Sequence, residues 1–196
     1  MLIVITGIVW LFSIFSESQK LSNSTEQRIQ AIQIAREWIE AFENIRDTNW
    51  LLFAADYQNC WNVRDYNRDC FWRGPTAEYI EHLSRSTMQR DANNRWVLSP
   101  VIITLTNDEF TDSWYRNDFR VQKSGSWFYL QWWWGIDFLP IFTREILVEY
   151  IDTGTPIWAD NQDQKIKVTS IVQWNDSSSD VPRKIELVTE LTNWEG

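Results

Sequence analysis

The sequence contains one histidine, two cysteines and six glycines among its 196 residues. The single histidine, His82, and two cysteines cannot supply the set of nitrogen and sulfur ligands that a zinc site needs. No Gly-x-Gly pair is present, so the glycine-rich loops that cradle phosphate groups are missing. The Gly-x-Ser-x-Gly turn of the serine hydrolases is missing too. We therefore expect no metal site and no cofactor.

Positive charge is also scarce. The chain has 18 lysines and arginines against 27 aspartates and glutamates, which gives a formal net charge of −9. An acidic chain gains no affinity for nucleic acid through counterion release, and it is not attracted to anionic membrane surfaces. Lys165 and Lys167 alternate along a predicted strand, which is typical of a solvated face. These features exclude nucleic acid as an expected partner.

Residues 2–15 form an almost unbroken apolar run. As a helix this run would be about 21 Å long, shorter than the roughly 30 Å hydrocarbon core of a membrane. Its length and the small residues that follow it predict a signal peptide over residues 1–18, with cleavage before Gln19. No lysine or arginine precedes the run, so an uncleaved leader that anchors the chain in a membrane is the alternative. We expect an extracellular protein without membrane contact after cleavage.

Cys60 and Cys70 lie ten residues apart in a polar stretch. In an oxidising compartment, this spacing predicts one local disulfide. Closing so short a loop would stabilise the fold by roughly 3 kcal/mol. If the leader is not a signal peptide, two buried thiols are the alternative.

Two short motifs match the acceptor pattern for N-linked glycans. They begin at Asn23 and at Asn175, and each has a serine or threonine two positions later. Both are predicted glycosylation sites if the chain is secreted.

The N-terminal third has helical periodicity. Residues 19–25 form a polar lead-in, where Ser24 and Gln27 have the spacing of a capping box. Apolar residues then recur at three- and four-residue intervals up to Ile45, which predicts a first amphipathic helix. A second helix is predicted after Asp47, ending near Tyr57. A third follows Pro75 and carries Ala77, Tyr79, Ile80 and Leu83.

From Trp96 onward, apolar residues recur at every second position. Strands are predicted over 97–106, within 110–121, and over 127–134, 142–151 and 165–174, with a terminal strand at Ile185, Leu187 and Leu191. Helices followed by serial strands predict an α+β domain, with N-terminal helices packed on one face of a curved antiparallel sheet.

Tryptophan is the most unusual part of the composition, with 14 residues. Within the predicted strand, Trp132 and Trp134 face one side and Trp133 the other. An exposed indole on a sheet is either a contact between subunits or a platform for a ligand. A core built from large aromatic side chains is the simpler interpretation of the other tryptophans.

The order of elements resembles the nuclear transport factor 2-like superfamily, also called the cystatin-like cone. The long first helix to Phe42, the segment 53–57, the segment 72–83 and the serial strands to Trp174 carry the resemblance. It covers residues 26–174 and leaves 175–196 as a C-terminal extension with one extra strand. The resemblance implies a strongly curved sheet, a cone-shaped α+β barrel with an apolar cavity, and a homodimer formed through the open sheet face.

The resemblance also indicates where catalysis would lie. Its isomerase members pair an acidic residue of raised pKa with a tyrosine that donates to a developing enolate oxygen. Asp56 and Tyr57 are the candidates for this pairing here, and Asp118 and Glu145 are further acids predicted on strands. A solvated Asp56 and a core Tyr57 are the alternative. The dehydratase members use more than one histidine, which this chain lacks.

We therefore expect a secreted, non-catalytic domain that binds a small apolar ligand or a protein partner through a cone cavity or a sheet face. Trp132, Trp133, Trp134 and Tyr57 are the candidate binding residues. A Tyr/Asp-dependent isomerase or cyclase-like enzyme is one alternative. A structural domain that dimerises through its Trp-rich sheet is another.

Overall fold

One helix of 51 residues, α1, accounts for a quarter of the chain and begins the fold. The computed structural model describes residues 2–55, 60–64, 79–80, 83–100, 110, 113–123, 129–130, 138–151, 165–176 and 181–192. In chain order its elements are α1 (Leu2–Leu52), β1 (Ser84–Arg90), β2 (Trp96–Pro100), α2 (Ser113–Asp118), β3 (Arg120–Lys123), β4 (Tyr129–Leu130), β5 (Phe138–Ile151), β6 (Lys165–Trp174) and β7 (Arg183–Thr192).

Helix α1 is continuous where two helices and a lead-in were predicted. No glycine or proline occurs between positions 8 and 52, so nothing in the backbone forces a break. The predicted cap at Ser24 is wrong, because its hydroxyl bonds to Asp176 instead of to the helix backbone. Thr25 bonds to the carbonyl of Leu21 four residues back, as hydroxyls inside helices do. The predicted boundary at Asp47 is likewise inside α1.

The sheet has seven described strands, and all its pairings are antiparallel. Strand β5 is central: one edge pairs with β6, and the other pairs with β3 along its first part and with β1 along its second part. Strands β2, β4 and β7 continue the sheet outward from β1, β3 and β6. The α+β class with a helix on an antiparallel sheet is confirmed. The described strands do not close into a barrel, so that part of the prediction is corrected.

Strand β1 replaces the C-terminal end of the predicted third helix. Tyr79 forms an isolated bridge with Val63, and Ile80 bonds to the carbonyl of Asn62. Leu83 has a φ of 56°, which no helix tolerates in its interior. Helical spacing was therefore the wrong interpretation of Tyr79, Ile80 and Leu83, because these residues contact other segments individually rather than along one helix face.

Within 110–121, helix α2 occupies part of the segment predicted as a strand, and only its end continues into β3. The terminal strand predicted around Leu191 is present as β7, which pairs with β6 along its full length. Leu191 is buried in the same core as β6, so β7 is an integral strand of the sheet.

The core lies between α1 and one face of the sheet. It consists of two neighbouring clusters of buried side chains, and the larger one is rich in aromatic and branched residues: Trp38, Phe42, Ile45, Trp61, Met88, Trp96, Ile146, Val148, Tyr150, Ile166, Val168 and Leu191. The smaller one joins Ala31, Ile34 and Ala35 of α1 to Val121, Phe142, Val172 and Trp174. Tryptophan thus serves as core material at four described positions, as the simpler interpretation predicted.

Candidate functional site

Most residues predicted to carry function lie outside the described part of the chain. This holds for Asp56, Tyr57, Cys70 and the three consecutive tryptophans Trp132, Trp133 and Trp134, and His82, to which no role was assigned, lies there too. Cys60 is described and is fully buried against Phe53 and Val63. The Cys60–Cys70 disulfide therefore stays a prediction.

The two predicted glycosylation sites lie close together in space. Asn23 on α1 and Asn175 after β6 are both exposed. Their neighbours are in direct contact, because the hydroxyl of Ser24 donates a 2.9 Å hydrogen bond to Oδ2 of Asp176. Glycosylation at either site stays a prediction.

The first part of α1 extends away from the sheet and forms a feature that we call the stem, residues 4–23. Its side chains are exposed, apart from half-buried Ser16. Ten large apolar side chains of the stem are 56–72% exposed: Val4, Ile5, Ile8, Val9, Trp10, Leu11, Phe12, Ile14, Phe15 and Leu21. Successive helix positions are about 100° apart, so these side chains surround the helix on all sides.

Such a surface is costly in water. Burying one large apolar side chain is favourable by about 1.5–3 kcal/mol, so covering all ten would be worth on the order of 15–30 kcal/mol. Helices that are apolar all round are found in large cores, in membranes or among other helices. The stem therefore leaves its apolar side chains uncovered, while the remainder of the described chain, which we call the head, forms its own core.

The stem leaves the head at a fixed point. Asp176 is 3% exposed and accepts the hydrogen bond of Ser24 on α1. Arg183, at the start of β7, approaches the same carboxylate oxygen at 3.4 Å. We call Ser24, Asp176 and Arg183 the neck, because they tie the helix to the end of β6 and the start of β7 at the level where α1 becomes exposed.

Beyond the neck, α1 is held by a buried cation. Arg144 on β5 is fully buried, and its guanidinium carbon lies 3.7 Å from the ring centroid of Trp38. The guanidinium donates to the carbonyl of Ile34 at 3.2 Å and lies 3.3 Å from the carboxylate of Glu37. No sequence pattern indicates this contact, since an arginine in an alternating strand is normally assigned to the solvent face.

The opposite face of β5 holds a second polar cluster. Tyr115 on α2 is fully buried, and its hydroxyl accepts a 3.3 Å hydrogen bond from Gln173. Glu145 is 3% exposed, and its carboxylate lies 3.9 Å from Arg85. Burial, followed by the charge of Glu145 and its hydrogen bond, raises the pKa of Tyr115 well above the usual range.

This cluster combines a tyrosine with a carboxylate, the two groups that the isomerase alternative requires. The residues are Tyr115 and Glu145, not the predicted pair Asp56 and Tyr57. Tyr115 is held in its neutral form, which is the form of a hydrogen-bond donor. However, Tyr115 and Glu145 are both buried, so neither presents its polar group to solvent. The geometry fits a structural role, in which the cluster fixes α2 on the sheet.

Asp118, the other acid expected on a strand, is at the end of α2 and is exposed. Desolvation raises its pKa from the ordinary value. The prediction of a strand at Asp118 was therefore wrong, whereas Glu145 lies on β5, a strand, as predicted.

Among the described residues, no three metal-binding side chains come together in a way that could hold an ion. No helix in the described part of the chain combines the length and the apolar character needed to cross a membrane. Comparisons with protein-family models, with curated proteins and with solved structures give no match.

Proposed function

We propose that this protein is a non-catalytic structural subunit that assembles through its stem. In such an assembly the stems of several copies pack side by side, and the heads are displayed on the outside. The single observation that carries the proposal is α1 itself: one uninterrupted helix whose stem is apolar and exposed and whose remaining length is built into the head core.

The sequence of the stem suits contact with other helices. Apolar side chains on all sides allow neighbours around the whole circumference. The exposed hydroxyl of Ser13 can bond across a helix pair. Gly7 leaves open space around its Cα, which permits a close approach of a second backbone.

The neck supports the same proposal. If residues 1–18 were only a cleaved signal peptide, the fold would not need contacts that fix their direction relative to the domain. Here Ser24, Asp176 and Arg183 fix the direction in which the stem leaves the head. A fixed direction is what a repeating assembly requires, since every copy must present its stem at the same angle.

The described tyrosine–carboxylate pair is buried, and the described core between α1 and the sheet is occupied by large aromatic side chains. Ligand or partner binding by the head and dimerisation through Trp132, Trp133 and Trp134 stay proposals that can hold alongside assembly, whereas secretion with cleavage before Gln19 is the competing proposal, because it would remove most of the stem. A strongly curved, cone-like sheet is also still a proposal. The shift in register between β3 and β5 at Arg120 and Gln122 supports it, because such irregularities bend a strand.

The test uses the full chain in a mild detergent, with mass measured by sedimentation equilibrium. We expect the wild-type chain to form oligomers and the double variant Val9→Glu, Phe12→Glu to be monomeric, because two charges in the packed stem cannot be desolvated. Gln19→Glu, at an exposed polar position of the same helix, is the matched control and should assemble like wild type.

Two outcomes would contradict the proposal. A wild-type chain that is monomeric in detergent but floats with phosphatidylcholine vesicles would make the stem a lipid anchor. A chain that remains monomeric in detergent-free buffer, with no vesicle binding, would show that the stem needs no cover. Circular dichroism of each variant verifies that the head is folded.

A further inference from the structure

The outermost strand β7 presents a long edge whose charges are arranged in a self-complementary order. Within the described residues, β7 pairs only with β6, and it forms one edge of the sheet. It is ten residues long and regular, with no register shift against β6. An edge of this kind offers a row of backbone donors and acceptors to another strand.

Its side chains alternate between two faces. Ile185, Leu187 and Leu191 share the face that packs toward α1, where Leu191 is buried and the other two are partly buried. Lys184, Glu186, Val188 and Glu190 occupy the other face and are exposed. Lys184 and Glu186 form an ion pair of 2.6 Å, with about half of each side chain accessible.

We propose that β7 is a pairing edge for a second copy of the same strand, in an antiparallel ladder centred on Leu187. This goes beyond assembly through the stem and does not rest on it. When two copies of one strand pair antiparallel, the numbers of two opposite residues add to the same sum all along the ladder. That sum must be even for the backbone hydrogen-bonding groups of the two copies to match. The register centred on Leu187 covers residues 183–191, nearly the whole of β7.

Charge distinguishes this register from its neighbours. When the ladder is centred on Leu187, Lys184 of each copy is opposite Glu190 of the other, so the two copies form two attractive pairs. Centring on Glu186 places that glutamate opposite itself. Centring on Val188 places Glu186 opposite Glu190 twice. Both shifted registers bring like charges directly together, which destabilises a ladder.

A scan that adds one cysteine at a time to the full chain, beside the native Cys60 and Cys70, tests the register under mild oxidation in mild detergent. Leu187→Cys should form a disulfide-linked dimer, because position 187 pairs with itself and paired Cα atoms lie within disulfide reach. Glu186→Cys and Val188→Cys are the controls, since each pairs with itself only in a shifted register. Dimers from either control at the Leu187→Cys level, or none from Leu187→Cys, would overturn the proposal.

Charge reversal is the second measurement, made in the Leu187→Cys background. Lys184→Glu turns two attractive pairs into repulsive ones and should lower the dimer yield roughly tenfold. Adding Glu190→Lys restores the opposite-charge order and should restore the yield. Lys165→Glu, the same reversal at an exposed position of β6, should leave it unchanged. An oligomer by sedimentation without these cross-links would refute edge pairing while leaving the stem proposal intact.

Discussion

Ser24 on α1 donates a hydrogen bond of 2.9 Å to Oδ2 of Asp176, a residue 152 positions later in the chain. Asp176 is almost completely buried, while Ser24 is at the level where α1 becomes exposed. The bond therefore joins the stem to the last two strands of the sheet. It also explains why the sequence pattern at Ser24 was misleading, since the hydroxyl that could cap a helix is used in a tertiary contact.

The first prediction concerns this bond. Asp176→Ala should lower the free energy of unfolding by about 1–3 kcal/mol, because Ser24 loses its buried acceptor and Arg183 its nearby carboxylate. Ser24→Ala should cost about 1 kcal/mol, and the two changes together should cost less than their sum. Urea unfolding followed by circular dichroism measures all three.

Thr25→Ala is the matched control for the neck. Its hydroxyl is exposed and bonds only within α1, to the carbonyl of Leu21. Its loss should change stability by less than about 0.5 kcal/mol. Equal effects of Ser24→Ala and Thr25→Ala would mean that the neck bond does not fix the stem.

The second prediction concerns Arg144. Arg144→Ala should destabilise the head by about 3–5 kcal/mol, because it removes the partner of Glu37 and leaves Trp38 without its stacked cation. Arg36→Ala is the control: that arginine is 75% exposed and pairs with Glu40 on the same helix, so its loss should cost less than about 1 kcal/mol. Chemical denaturation compares them, and equal effects would make the buried cation dispensable.

The fold class was predictable because it depends on the order in which helical and strand-like spacings of apolar residues follow each other along the chain. Helical spacing over Ala31–Ile45 and alternation over Lys165–Trp174 both correspond to real elements, since each buries one continuous apolar face. Strand β1 was missed because its sequence is polar at most positions, with Met88 as its one large buried apolar side chain. Sequence alone does not reveal that Ser86 is buried between strands β2 and β5.

The candidate contacts were less predictable than the elements. Arg144 bonds to the carbonyl of Ile34, 110 positions away, and Tyr115 bonds to Gln173, 58 positions away, and no local sequence pattern indicates such pairs. The stem was recognised as an apolar run, but a run of this kind has the same composition in a leader, an anchor or an assembly helix. The stem is more consistent with a segment that stays in the mature protein, because α1 is one continuous helix from Leu2 to Leu52. That continuity depends on the packing of α1 near Ser24.

The third prediction is the state of the N-terminus. If the stem assembles, the native protein isolated from its membrane or assembled fraction should retain residues 4–15, which carry the apolar surface. Intact-mass analysis and N-terminal sequencing measure this. A mature chain that begins at Gln19 would confirm the signal peptide and remove the stem proposal, because only the polar end of the stem would remain.

The fourth prediction is a loss of stability at high pH. Tyr150 is buried, and burial raises its pKa to about 12, although the hydrogen bond from Asn62 acts in the opposite direction. The folded pKa is above the unfolded value of about 10, so this stabilisation is complete below pH ~10. It is lost as the pH rises from about 10 to about 12, and the shift corresponds to roughly 3 kcal/mol.

Tyr150→Phe separates this titration from the hydrogen bonds of the same hydroxyl. The variant should be less stable at neutral pH by about 1–3 kcal/mol, because the carbonyl of Ile80 and the amide of Asn62 lose their partner. Its stability should nevertheless fall less steeply than that of wild type between pH 10 and 12. If the free energy of unfolding of the variant and of wild type falls equally steeply across that range in urea unfolding series, Tyr150 does not carry the alkaline transition. Tyr115 would then be the group to test, by Tyr115→Phe, because burial and the charge of Glu145 also raise its pKa.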